Sequence, residues 1–147
     1  MKVQVKKLSD EAKLPTKGSK DAAALDLYAR KNREDTYWHI KPHETVKVGT
    51  GLSFAPEHGY FGALFSRSGM AINEGLRLAN CVGVCDEDYR GEYCAAIHND
   101  SNEERTIAPG DRICQLIFLP YPDVELLEVD ELPETARGAG GFGSTGK

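Results

Sequence analysis

Asp86, Glu87 and Asp88 put three acids at the end of an apolar, strand-like stretch, GVCDEDYRGE from Gly83 to Glu92, with Tyr89 and a turn signal behind them. Residues two apart on a strand share a face, so Asp86 and Asp88 are expected to point together and Glu87 away. Two carboxylates on one face repel unless a cation, a proton or a water network relieves them. Taken alone, such a triplet reads first as a solvated hairpin tip. A second candidate is FSRSGMA, Phe65 to Ala71, where Arg67 and Ser68 stand at the expected junction of a strand and a short helix. A helix N-terminus with an adjacent guanidinium and hydroxyl suits an anion, although by itself it also reads as an ordinary cap with Ser68 as the capping residue.

The third candidate is the tail RGAGGFGSTGK, Arg137 to Lys147, in which five of eleven residues are glycine. Gly138, Gly140 and Gly143 satisfy GxGxxG, but no strand precedes them and no helix or acid follows. Gly141, Gly146 and Lys147 spell GxxxxGK without the hydroxyl residue that holds magnesium in a P-loop. What remains is a backbone rich in free N–H groups which, with Arg137, Ser144 and Thr145, would wrap a polyphosphate. Phe142 would stack on a flat ligand. Composition alone allows a plain flexible terminus as well.

These residues must be positioned by strands. Runs rich in Val, Ile and aromatics recur at Val3 and Val5, Tyr37 to Ile40, Val46 to Phe54, Tyr60 to Phe65, Cys81 to Cys85, Tyr93 to Ile97, Ile113 to Leu119 and Val124 to Val129. Turn residues fall between them, which indicates an all-β sandwich or barrel. Only Ser68 to Glu74, ending before Gly75, offers a short helix.

The chain has 147 residues, enough for one domain. Its net charge of -5 gives no global basic field, so a nucleic-acid polymer is not an expected partner. No run approaches the ~20 apolar residues of a membrane span, and MKVQVKKLSD lacks a signal-peptide core, so the chain reads as soluble, cytoplasmic and without a membrane partner. Cys81, Cys85, Cys94 and Cys114 lie in apolar surroundings and read as reduced thiols packed as small hydrophobes. The HxxxH spacing of His39 and His43 is interrupted by Pro42 and does not suggest a helical zinc pair.

AAALDLYA (Ala22 to Ala29), RSGMA (Arg67 to Ala71), GVCDEDYRGE, GDRICQLIF (Gly110 to Phe118) and RGAGGFGSTG resemble, in order, the five motifs of the homotrimeric deoxyuridine triphosphatases. The resemblance covers nearly the whole chain. It implies a jelly-roll-like β-clip domain over residues 1–136 with one short helix, a mobile glycine-rich lid over 137–147, and a homotrimer with sites between subunits. It also implies hydrolysis of dUTP to dUMP and pyrophosphate, which limits uracil in DNA and supplies dUMP for thymidylate synthesis.

On that resemblance Asp86 corresponds to the acid that activates water, Tyr89 to the ring beneath the deoxyribose, Asn80 to the amide that helps read the uracil edge, and Val84 to a further substrate-binding position. Ser68 and Gln115 correspond to residues on the phosphates, Arg67 to a structural or phosphate-adjacent arginine, Gly69 to a further substrate-binding position, and Arg137, Phe142, Gly143, Ser144 and Thr145 to the closing tail. The cofactor implied is Mg²⁺, with Asp26 reaching it through water. Ala24 stands where the family commonly has glycine, so a strained turn near Asp26 is expected if that position needs a positive φ. Cys85 beside Asp86 suggests thiol modification as a route to inactivation. The alternatives are a dCTP deaminase-type enzyme of the same fold and a nucleotide-binding regulatory protein.

Overall fold

Side-chain alternation fixes which face of each strand turns inward, as in Cys94–Asn99, where every second residue is buried. The computed structural model describes residues 1–141. Among these, twelve strands run in chain order: β1 (Gln4–Lys7), β2 (Thr16–Lys17), β3 (Leu25–Tyr28), β4 (Trp38–Ile40), β5 (Thr45–Gly49), β6 (Leu52–Ala55), β7 (Tyr60–Phe65), β8 (Leu76–Leu78), β9 (Val82–Cys85), β10 (Cys94–Asn99), β11 (Arg105–Ile107) and β12 (Arg112–Pro120). One helix, α1 (Ser68–Glu74), separates β7 from β8.

All strand pairs are antiparallel. A five-stranded sheet has the order β2-β3-β12-β7-β9, a three-stranded sheet the order β5-β10-β8, and β1-β6 and β11-β4 form two ribbons. This is the all-β, jelly-roll-like architecture expected, with its single short helix. Leu27, Ile40, Leu52, Leu78, Ile97 and Leu116 form the centre of one apolar core. Asn99 is buried with them, and its amide donates to the carbonyls of Ile40 and Glu103, so its burial leaves no donor unpaired.

The structure corrects several expectations. Val46 to Phe54 is two strands, because Gly51 has a left-handed φ of 71° and turns the chain between β5 and β6. Cys81 to Cys85 starts one residue late, since Cys81 is left-handed at φ 58° and exposed rather than packed. The helix is capped by Arg67, with no side-chain cap bond, so Ser68 is its first residue and not its cap. Gly75 ends it in the left-handed conformation as expected. Ala24 is not among the positive-φ residues, so its replacement of glycine strains nothing.

Val124 to Val129 is not a strand: Leu126 and Leu127 are 91% and 84% exposed. Among the described residues, the hydrogen bonds made within 122–141 stay inside that segment. An apolar alternating run needs an edge to pair with, and this one finds none among the described residues. No helix among the described residues is long and apolar enough to cross a membrane.

Candidate active site

β9 is the outer strand of the five-stranded sheet, bonded to β7 on one side only. Half of its backbone N–H and C=O groups therefore face away from the sheet, free to pair with a planar ligand edge. The strand stops at Cys85, and a turn closed by the Tyr89 N–H donating to the Asp86 carbonyl at 3.1 Å carries the acids. Strand alternation thus no longer governs Asp86, Glu87 and Asp88. Asp86 and Asp88 are exposed, whereas Glu87 folds back as a clamp.

The Glu87 carboxylate accepts the Gly59 N–H and the Tyr121 hydroxyl, each at 2.7 Å, and lies 2.9 Å from His58 Nδ1. The hydrogen bond from His58, then those from Tyr121 and Gly59, lower its pKa from 4.5 to about 2, and the same His58–Glu87 bond raises His58 above 6.5. A depressed carboxylate contributes stability above its ordinary pKa and loses it as pH falls through the folded value; a raised imidazole contributes below its ordinary pKa and loses it as pH rises. The clamp should therefore be strongest between about pH 4.5 and 6.5. Glu87→Gln should lower the urea midpoint more at pH 5.5 than at pH 2.5, and an equal loss at both would show that the clamp is not electrostatic.

Behind the turn lies a cavity of about 390 Å³ bordered by Asn80, Gly83, Val84, Tyr89 and Tyr93. Val84 is 63% exposed and also borders the neighbouring depression that holds Asp86. The Tyr89 hydroxyl donates to the Glu92 carbonyl at 3.1 Å, fixing the ring over the chain that leads from β9 to β10; these two strands lie in different sheets, so the segment is not the hairpin expected. Glu92 is anchored in turn by Arg30 Nε and the Gly51 N–H, both at 2.7 Å. Burial opposes ionisation of Glu92, but these hydrogen bonds and the Arg30 charge outweigh it and the net shift is downward. Cys85 and Cys94 border the same cavity, and burial pushes both thiols up to about 11. At neutral pH they stay protonated, which argues against Cys85 as a ready target of modification.

The cationic end is built elsewhere in the same sheet. Asp26 on β3 is 4% exposed, and its carboxylate lies 3.2 Å from Arg112 Nη1, 3.5 Å from Arg67 Nε and 3.5 Å from Gln115 Nε2. Arg67 also donates to the Arg112 carbonyl at 2.9 Å. Two guanidiniums share one carboxylate, so the group keeps a net positive charge and both forks are held in place for an anion. Gly69 has open space where a side chain would stand, which leaves the backbone beside Ser68 approachable.

Arg112 was missed as a site residue from the sequence; the only signal was its place in GDRICQLIF. No group of three His, Cys, Asp or Glu residues among the described residues could hold a metal. Two of the roughly four acceptor positions of Asp26 are used by Arg112 and Gln115, which leaves it room to accept from a water. A divalent ion would therefore be carried chiefly by oxygens of a bound phosphate chain.

Asn80, Val84 and Tyr89 are brought to one cavity, and Asp26, Arg67 and Gln115 to one network. The two groups are not joined within a single chain. Gln115 and Val82 flank Phe65 in register, and Asp86 lies four residues beyond Val82, so strand spacings put Asp86 on the order of 15 Å from the network. Arg137 donates to the Gly140 carbonyl at 2.8 Å within its own segment. Phe142, Gly143, Ser144 and Thr145 lie outside the described residues.

The dUTPase family model matches residues 10–146. The chain belongs to the dUTPase family. Among curated dUTPases, a deoxyuridine 5'-triphosphate nucleotidohydrolase of Nautilia profundicola is 45% identical over 147 residues, covering 100% of both chains. One from Desulfitobacterium hafniense is 47% identical over 135 residues, 91% of this chain and 87% of that one. Among solved dUTPases, a mutant of the Staphylococcus bacteriophage 80alpha enzyme with dUpNHpp superposes with a TM-score of 0.88 at 26% identity, covering 99% of each chain.

Proposed function

We propose that this chain is a dUTP diphosphatase acting as a homotrimer, with Asp86 as the base that activates water. The observation that carries the reading is the acid-bearing turn on a one-sided edge strand, beside a cavity bordered by Asn80, Val84 and Tyr89.

Uracil presents an acceptor at position 4 and a donor at N3, and cytosine the reverse. A backbone edge arranged for uracil leaves buried groups unpaired against cytosine, a large penalty. The close approach of the β9 edge excludes the thymine methyl, and Tyr89 under the sugar leaves no room for a 2′-hydroxyl. Arg67, Arg112, Ser68, Gly69 and Gln115 bind the phosphates. Asp86 takes a proton from water as its oxygen bonds to the α-phosphorus; the bond from that phosphorus to the bridging oxygen breaks, and pyrophosphate leaves. Asp26 would hold a divalent ion such as Mg²⁺ through water, and the ion would supply neutralisation of phosphate charge.

Two observations support a site shared between subunits. Asp86 and the Arg67–Arg112 network are too far apart within one chain to touch one phosphate, and the arm from Val124 to Leu132 leaves apolar side chains uncovered. Residues 137–147 form the lid, with Arg137, Phe142, Gly143, Ser144 and Thr145 closing over the nucleotide, and residues 1–136 form the β domain. A cytoplasmic site of action, where dUTP would be removed from the nucleotide pool, completes the reading.

The test is pyrophosphate release with Mg²⁺ from dUTP, dCTP, dTTP and UTP, with ammonia measured in parallel. Turnover confined to dUTP is expected. Ammonia from dCTP would assign the chain to the deaminase branch, and silence on all four would favour a binding role.

A further inference from the structure

Tyr93 is fully buried at the back of the cavity, with the Cys85 thiol as a polar neighbour of its hydroxyl. The ring packs against two others. Its centroid is 4.7 Å from that of Phe54 and 6.0 Å from that of Tyr89, whose plane is inclined to it by 29°. Both separations fall in the range of favourable aromatic pairs.

Two glycines make room for this stack. A Cβ on Gly62 of β7 would stand 2.9 Å from the Tyr93 ring and hydroxyl, and a Cβ on Gly91 would overlap the Tyr89 hydroxyl and ring. Tyr89 is thus held on three sides: by Tyr93 behind it, by the Glu92 carbonyl at its hydroxyl, and by the bare backbone of Gly91 beneath its edge.

The geometry points to Tyr93 as a specificity-determining positioning residue, the buried support that keeps the Tyr89 ring from yielding to a ribonucleotide. This assignment rests on the proposed activity. An apolar surface rejects an added hydroxyl only weakly by polarity, so rejection of a 2′-hydroxyl here depends on a wall that does not move. Phe54 and Tyr93 transmit the stiffness of the core to a ring that is itself 44% exposed.

The experiment compares kcat/KM for dUTP and UTP in the full-length wild type, Tyr93→Val, Tyr93→Phe and Gly91→Ala. Tyr93→Val should reduce the dUTP:UTP preference by about tenfold or more, chiefly through better use of UTP. Tyr93→Phe should keep the wild-type ratio, since it keeps the ring. Gly91→Ala displaces Tyr89 from a surface turn without touching the core, and should relax the ratio in the same direction even if Tyr93→Val fails to fold. A ratio unchanged in Gly91→Ala and in any folded Tyr93→Val would overturn the assignment, as would loss of the preference in Tyr93→Phe. A wild type inert on both triphosphates would instead overturn the activity on which the assignment rests.

Discussion

Asp86→Asn should lower kcat by about 10²- to 10⁴-fold, the usual contribution of a positioned general base, while binding of a non-hydrolysable dUTP analogue stays within a few-fold of wild type. That loss corresponds to roughly 3–5 kcal/mol of transition-state stabilisation. The amide keeps the shape of the carboxylate but accepts no proton at neutral pH. The turn should survive the change, because its closing bond is made by the Asp86 backbone carbonyl and its outer anchor by Glu87. A fall in kcat and kcat/KM together, with analogue affinity intact, is the signature of an interaction made only in the transition state. Near-normal turnover in the variant would show that another group activates the water.

Truncation after Glu134 should leave the β domain folded and the proposed trimer intact and abolish most activity, by about 10²-fold or more if the lid excludes water and completes the phosphate contacts. Within the described residues, the hydrogen bonds of 122–141 close on the segment itself, as in Arg137 to Gly140 and Gly138 to Thr135. Of the described residues, 135–141 make no hydrogen bond to the β domain, so their removal takes none from it. The apolar side chains of Val124 to Leu132 remain in the shortened chain, so any contact they make with a neighbouring subunit is retained. Circular dichroism, sizing and pyrophosphate release together decide the matter. A truncated chain that dissociates would show the tail to be structural, and one that keeps full turnover would remove the lid from the mechanism.

The strands that were legible beforehand are those with a strong local signature. Tyr60–Phe65 and the centre of Arg112–Pro120 are runs of apolar and aromatic residues closed by turn signals. The strands that were missed, Thr16–Lys17, Leu25–Tyr28, Leu76–Leu78 and Arg105–Ile107, are only two to four residues long. Such pieces are strands because a neighbour offers them an edge, and no window of their own sequence contains that neighbour. Val124 to Val129 is the converse, with the alternation but without the partner.

The site divides along the same line. Its chemistry was determined by residue types in order: an acid turn before an aromatic, an Arg-Ser pair opening a helix, a Gln in a buried strand and a glycine-rich tail. These are local, and their spacing carries the family resemblance. Only the tertiary structure decided that Glu87 is a clamp and not a spare acid, that Arg112 joins Arg67 on Asp26, and that Tyr93 stands behind Tyr89. Each of those roles depends on contacts with other elements of the fold, and local pattern sets which way a side chain faces but not what it meets there.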